Sequence, residues 1–381
     1  MGNRYVIDDL RHEIGGHCES TTMRNLIRYA GINNITEEMV FGLDSTLGFV
    51  FFDYSQGENT ENSFMGIPLF IGGKQGSITQ KSLGCQILGF DISFETFSSR
   101  EVAWESTKNW LNQNIPLGIQ LDMGMLSYFD WEEEIHFGGH FITLIGYDEE
   151  IDQVFIYDNG FDTLQRATID ELMNTRSSKF GPSFLHPKYR QFHVMKRNDG
   201  RKPPFARAAK LALQQVAQQM LHPSMNYNGL PALNLFAQSI PKWPQILEGT
   251  MKSEYSDEVV SKSELTFEMI YGLIEEMGTG GAIFRNLYSK FLKELSIHPE
   301  IIEGPHAWNE EERYYLESAW EDLTNSAKLW NSASAQIKQA LDEGKENCLD
   351  YIDLQKLEGS IIDIIPLEES CFKNLLQIKL R

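Results

Sequence analysis

A glycine-rich turn that runs straight into an amphipathic stretch constrains this chain most. Gly15-Gly16-His17-Cys18-Glu19-Ser20-Thr21-Thr22 puts Cys18 where a helix should begin. Met23, Leu26, Ile27 and Ala30 follow at helical spacing, and Gly31 stands where that helix should stop. Far downstream comes Gly138-Gly139-His140-Phe141-Ile142-Thr143-Leu144-Ile145-Gly146-Tyr147-Asp148, then Val154-Phe155-Ile156-Tyr157-Asp158-Asn159-Gly160. A histidine opens the first strand pattern and an aspartate closes the second. The polar run Asp148–Asp152 between them reads as a hairpin turn. Two antiparallel strands joined there place His140 and Asp158 near the same end of neighbouring strands.

Cysteine at a helix start, histidine at a strand start and aspartate at the next strand end is the chain order of a papain-type triad. The chemistry needs those residue types. Only a small share of a free thiol is thiolate at neutral pH. A helix N-terminus brings partial positive charge and free N–H groups to the sulfur. A histidine in reach takes the thiol proton, and a third group holds the imidazole in the right tautomer. Cys18 therefore reads as nucleophile, His140 as base and Asp158 as the orienting acid. The alternative is a buried core cysteine beside a core histidine. His17 is the rival base, Asp148 the rival acid, and Asn159 a lesser substitute for Asp158. His12, His136 and His193 read as surface or structural.

The Cys18 backbone N–H is one plausible oxyanion donor. Papain-type enzymes place a glutamine a few residues before the nucleophile, and none occurs between Met1 and Cys18. The second donor is then the Asn3 amide, the His17 side chain or a backbone N–H.

Length and composition bound the rest. At 381 residues with 41% hydrophobic and 12% aromatic residues, the chain can bury a real core in two domains. A formal net charge of −21 speaks against nucleic acid. It favours a cationic small molecule, and disfavours an acidic protein partner unless a local patch compensates. The four cysteines, Cys18, Cys85, Cys348 and Cys371, form no CxxC or metal-ligand spacing. That scatter suggests a reducing compartment and no disulfide framework. The first residues lack a signal-peptide pattern, no apolar run is long enough to span a bilayer, and Met1-Gly2 has no supporting myristoylation context. A cytoplasmic protein with no metal and no permanently bound cofactor is expected.

Lys196-Arg197-Asn198-Asp199-Gly200-Arg201-Lys202-Pro203-Pro204 has the composition of a linker. It divides a mixed α/β domain, 1–200, from a helical domain, 201–381. The first should hold a helix at Ser99–Gln113, anchored by Trp104, Trp110 and Leu111. Its strands should be Leu117–Met123, His140–Tyr147, Gln153–Tyr157 and Gln191–Lys196. The second should hold helices at Ala206–Leu221, Leu230–Ile240, Glu264–Met277, Gly281–Leu295, Asn309–Gly344 (with a break allowed) and Asp350–Ile364. Trp308, Trp320 and Trp330 read as packing anchors. The expected fold class is α+β: a papain-like N-terminal domain followed by an all-α C-terminal domain.

Several segments together resemble the butirosin biosynthesis protein H family. They are His17–Leu26, Thr36-Glu37-Glu38-Met39-Val40-Phe41-Gly42-Leu43, Gly48-Phe49, the Gly-Gly-His-Phe and Tyr-Asp-Asn-Gly segments, and Ile274–Arg285 in the helical half. The resemblance covers most of the chain. It implies a cysteine acyltransferase of antibiotic biosynthesis. Such an enzyme takes an acyl group from the phosphopantetheine thioester of an acyl or peptidyl carrier protein. It passes that group through a cysteine thioester to an amine, forming an amide. The acceptor would be cationic, a diamine or an aminoglycoside, as in closthioamide-type or butirosin assembly. A C39-like peptidase or amidase is the enzymatic alternative, and a non-catalytic carrier-protein adaptor the other. A homodimer is left open.

Three further features bear on binding. Gly280 and Gly281, before the next helix, could offer N–H groups to a pantetheine phosphate with Arg285 nearby; a tight interhelical turn is the plainer reading. The aromatic stretch from Phe41 to Tyr54 could line an acyl pocket or form ordinary core. Asp130-Trp131-Glu132-Glu133-Glu134 could hold an ammonium group or be solvated surface.

Overall fold

The helix expected after the glycine turn forms at Cys18–Ala30, and Gly31 stops it with φ of 128°. The computed structural model describes residues 3–55, 66–75, 82–129, 136–181, 183–197, 200–252, 259–344 and 347–380. The chain runs β1 (Arg4–Val6), α1 (Cys18–Ala30), α2 (Glu37–Leu43), β2 (Leu47–Asp53), β3 (Leu69–Lys74), α3 (Leu83–Leu88), β4 (Phe90–Glu95) and α4 (Arg100–Leu111). Then come β5 (Leu117–Leu121), β6 (His140–Asp148), β7 (Gln153–Tyr157), β8 (Gln165–Ala167), α5 (Ile169–Thr175) and β9 (Gln191–Lys196). The rest is α6 (Phe205–Leu221), α7 (Gly229–Ser239), α8 (Trp243–Ile246), β10 (Thr250–Lys252), β11 (Val259–Ser261), α9 (Lys262–Glu275), α10 (Arg285–Ser296), α11 (Pro299–Ile302), α12 (Glu310–Glu343) and α13 (Leu354–Gln377). Among the described residues no helix is long and apolar enough to cross a membrane.

The chain divides into two compact units. The first is Met1–Val40 with Ile78–Lys202, and the second is Phe41–Ser77 with Pro203–Arg381. Residues 41–77 were expected with the N-terminal domain; their packing assigns them to the other unit.

In the first unit the described strands form one antiparallel sheet, ordered β4-β9-β5-β6-β7-β8, with β1 also on β6. All nine residues of β6 are buried, so this strand is covered on both faces and carries an almost unbroken apolar run. The core holds Leu117, Ile119 and Leu121 of β5 with Ile142, Leu144 and Ile145 of β6 and Val154 and Ile156 of β7. The helix α1 packs on β6, β9 and β5. Trp104 and Trp110 are only partly buried. Their indoles donate to Glu149 and Glu95, so each has one wet edge. The β6–β7 hairpin pairs Asp148 with Gln153 and Thr143 with Tyr157, which returns Asp158 to the start of β6.

The second unit is mostly helical but not all-α. It contains the hairpins β2–β3 and β10–β11. Phe49 of β2 packs on Phe236 and Trp330, with ring centroids 6.0 and 5.7 Å away. The stretch considered for an acyl pocket thus supplies core to this unit. The long α12 runs unbroken from an Asn309–Glu312 capping box to Gly344. The last helix outruns its expected end at Ile364 and passes through Pro366. Beyond the proline, Glu368, Cys371, Phe372 and Leu375 are buried, and that packing outweighs the missing N–H.

Candidate active site

Cys18 is the first residue of α1 and is 9% exposed. The loop before it is held on three sides. The Glu37 carboxylate accepts from Gly16 N (2.9 Å), His17 N (2.7 Å) and Thr21 Oγ1 (3.1 Å). Gly15 N donates to Asn159 O at 3.0 Å, and Asn159 Nδ2 donates back to Gly15 O at 3.2 Å. Arg24, nearly two turns into α1, donates to the carbonyls of Glu13 and Ile14. A Cβ at Gly15 would fall 1.9 Å from Thr21 Oγ1 and 2.7 Å from Glu37 Oε2, so only glycine fits there. Burial pushes Glu37 above the usual carboxylate range, and the two backbone donors and Arg24 only partly offset it.

His140 begins β6 and is 5% exposed. Its Nε2 lies 2.8 Å from Oδ2 of Asp158, which is fully buried just past the end of β7. Its ring also hydrogen-bonds the Cys18 side chain. Nε2 is taken by the acid, so Nδ1 is the nitrogen left for the thiol. Burial disfavours charge on His140. The ion pair and hydrogen bond with Asp158, and then the contact with Cys18, outweigh it and raise the imidazole to about 10. Burial likewise opposes the Asp158 charge, yet His140 and Tyr128 hold that carboxyl below its ordinary value. The resting pair is imidazolium and carboxylate.

Tyr128 was not foreseen from sequence. Its Oη donates to the same Oδ2 of Asp158 at 2.8 Å. Burial and the adjacent carboxylate push its phenol well above 10. Phe129 meets the His140 ring edge-on at 5.9 Å, and Phe161 stands edge-on to both Tyr128 and Phe129. Three aromatic rings thus enclose the His140–Asp158 bond and lower its contact with water. The run Leu126-Ser127-Tyr128-Phe129 carries no spacing that would have marked it.

The other sequence candidates fall elsewhere. The Nδ1 of His17 caps α1 by accepting from Ser20 N, so His17 is a helix cap and not the base. Asp148 pairs with Arg4 at the far end of β6. Asn3 sits at that end too, its carbonyl accepting from Glu149 N. Nine strand residues, about 25–30 Å, separate that end from His140. Neither Asp148 nor Asn3 can serve Cys18. Asn159 braces the cysteine loop and does not replace Asp158. His12 stacks on Tyr157 and bonds Phe161 O and Asn25. His136 bonds Asp122, and His193 lies under Trp110. Asp130–Glu134 lies outside the described residues.

The phosphate site expected at Gly280, Gly281 and Arg285 is not available. Arg285 is fully buried, and Nε and one terminal nitrogen grip both oxygens of Glu368 at 2.7 and 2.8 Å. Its other terminal nitrogen donates to the carbonyls of Gly48 and Ile283, each at 2.9 Å. Gly281 N already donates to Thr279 Oγ1. The expected helix start is instead a left-handed turn, with φ of 50° at Ala282, 47° at Ile283 and 72° at Phe284. Such backbone costs about 1–2 kcal/mol per residue, and the Arg285 bond to Ile283 O helps to hold it. Among the described residues no group of three His, Cys, Asp or Glu is placed to bind a metal.

Two family descriptions match the chain in order. Residues 17–159 match Butirosin biosynthesis protein H, N-terminal, and residues 170–375 match a Domain of unknown function (DUF4872). The first match spans Cys18, His140 and Asp158. No curated protein matches the chain significantly.

Proposed function

The chain belongs to the butirosin biosynthesis protein H family, and on that premise we propose that it is a biosynthetic cysteine acyltransferase with a papain-like catalytic unit. One observation carries the reading: Cys18 heads a buried helix and bonds a histidine that Asp158 keeps charged. In the first step the Cys18 thiolate, whose proton His140 has taken, attacks a thioester carbonyl. The donor C–S bond breaks, and the departing thiolate takes the proton held on His140. In the second step an amine attacks the Cys18 thioester. It gives a proton back to His140, the Cys18–acyl bond breaks, and an amide leaves. One thioester is exchanged for another in the first step, so no strong electrophile is needed. The aromatic rings around His140 shield its bond to Asp158 from water.

In this reading the donor is a carrier protein bearing an acyl group on phosphopantetheine, and the acceptor is a cationic amine. The net charge of −21 supports the second assignment. Intact-mass measurement after addition of an N-acetylcysteamine acyl thioester tests the reading. An adduct absent from Cys18→Ala, and discharged as an amide faster with a diamine than in water, is expected. Discharge at the same rate without amine would make the protein a hydrolase of the C39 kind. No adduct would leave a carrier-binding adaptor.

A further inference from the structure

His12 stands outside the triad, yet its contacts reach all three segments that carry the triad. It lies in the same unit as Cys18, His140 and Asp158. One face of its ring stacks on Tyr157, with centroids 4.6 Å apart and planes within 12°. Its Nε2 donates to Phe161 O at 2.8 Å. Tyr157 and Phe161 stand on either side of Asp158, and Phe161 N closes the turn onto Asp158 O at 3.2 Å. A single ring therefore grips the turn of the acid at both ends. On its other edge, Nδ1 accepts from Asn25 Nδ2 at 3.0 Å. Asn25 is buried in α1, about two turns after Cys18. The same Nδ2 donates to Oγ1 of Thr143, which follows His140 in β6, at 3.2 Å.

These partners fix the protons on the ring. A carbonyl only accepts, so Nε2 carries a proton; an amide N–H donates to Nδ1, so Nδ1 carries none. Arg24 donates to Asn25 Oδ1 at 3.5 Å, which orients that amide with its N–H groups toward His12 and Thr143. Burial, helped by Arg24, holds His12 below its ordinary 6.5 against the pull of the Phe161 hydrogen bond and the Asp158 charge. Neutral His12 is thus a donor to the turn and an acceptor from α1 at once.

The turn needs such a hold. Asp158 keeps His140 charged across 2.8 Å, and misplacing a catalytic group by about 1 Å costs about 10²-fold. Asn159 ties the turn to Gly15, in the loop before Cys18. His12 ties it to α1 itself and, through Asn25, to β6.

We infer that His12 is a positioning residue that holds the Asp158 turn against α1 and β6 and so sets the contact between His140 and Asp158. It touches no reacting atom. Its effect on rate rests on the acyltransferase reading above; its effect on His140 does not.

Two replacements in the full chain test the role. His12→Phe keeps a ring for Tyr157 and loses both hydrogen bonds. His12→Gln loses the ring and keeps an amide N–H for Phe161 O. The titration of His140 is read by NMR on isotope-labelled histidine, assigned by the signal that His140→Asn removes. Acylation of Cys18 by a butyryl N-acetylcysteamine ester is read by intact mass. Wild-type His140 should titrate near 10. In His12→Phe it should titrate about one pH unit lower or more, and acylation should slow by about tenfold or more. His12→Gln should regain about half of the shift or more and acylate within about threefold of wild type. A merely structural histidine would change the unfolding temperature and leave the titration in place, so an unmoved His140 in folded His12→Phe overturns the role whatever the rate does. A glutamine that regains nothing overturns it as well. If His12→Phe does not fold, Tyr157→Leu removes the stacked ring alone; His140 should again titrate lower, and an unmoved value overturns the role. A wild type that takes no acyl group overturns the acyltransferase reading, while the titration still decides the role of His12.

Discussion

Replacing Asp158 by asparagine should move the pH dependence of acyl transfer more than any other single change. His140 titrates near 10 because a fully buried carboxylate lies 2.8 Å from its Nε2. The substituted amide would keep a hydrogen bond but remove the charge. Burial would then act unopposed except by Cys18, and His140 should fall to its ordinary 6.5 or below. At pH 7.5 a group titrating at 10 is about 0.3% neutral, and one titrating at 6.5 is about 90% neutral. The acid needed by the departing thiolate would be mostly absent. Acylation of Cys18 by an N-acetylcysteamine ester, followed from pH 5 to 11, reads this directly. The wild-type rate should hold into the alkaline range and fall as pH passes about 10. The Asp158→Asn rate should begin to fall at least three pH units lower, and its maximum should be lower by about 10² or more. An alkaline limb within half a unit of wild type would refute the assignment of Asp158 as the source of the His140 charge. Stability should follow the same pair. The folded value of His140 is raised, so its contribution is complete below about 6.5 and is lost as pH rises through about 10. The folded value of Asp158 is depressed, so its contribution is present above 3.8 and is lost as pH falls through the lowered value.

The placement of Cys18 at a helix start and of Asp158 beside His140 was legible because each residue is tied to a local signal. A glycine pair before a helical period marks Cys18. A polar turn between two strand patterns fixes the register that returns Asp158 to His140. What the sequence did not yield are contacts between segments far apart in the chain. The aromatic stretch around β2 reads equally as pocket lining or core, and it does not report that Phe236 and Trp330 pack on Phe49 or that Phe236 packs on Phe51. Linker composition alone therefore groups residues 41–77 with the N-terminal half, and helical periodicity alone makes the C-terminal half all-α. Gly280-Gly281 before a helical pattern reads equally as anion loop or turn. The choice is made by Glu368, more than eighty residues away, which takes both ends of the Arg285 fork. Tyr128 was invisible for the same reason: its role depends on the Asp158 oxygen it reaches, not on its neighbours.

Tyr128→Phe removes one hydrogen bond to a charged acceptor, worth about 1.5–3 kcal/mol. The acidic limb of the acylation profile should move to higher pH as Asp158 loses a donor, and a limb that stays fixed would reduce Tyr128 to packing. Glu368→Gln leaves Arg285 buried without its counter-charge, at a cost of about 3–5 kcal/mol. Thermal unfolding should fall by roughly 10 °C, and an unchanged midpoint would mean that buried Arg285 does not depend on the Glu368 charge. Gly15→Ala tests the cysteine loop itself. The new methyl would meet Thr21 Oγ1 at 1.9 Å and Glu37 Oε2 at 2.7 Å, so one of them must move. Either movement loosens the carboxylate that fixes Gly16 N and His17 N, and with it the position of Cys18. Acylation should fall while the protein stays folded, because the sheet core lies elsewhere. Adding Thr21→Ala removes the closer clash but leaves the Glu37 contact, so the double variant should recover part of the rate. The two changes should therefore be non-additive, as side chains sharing one contact are. A double variant no faster than Gly15→Ala would mean that the loop is placed by something other than this packing.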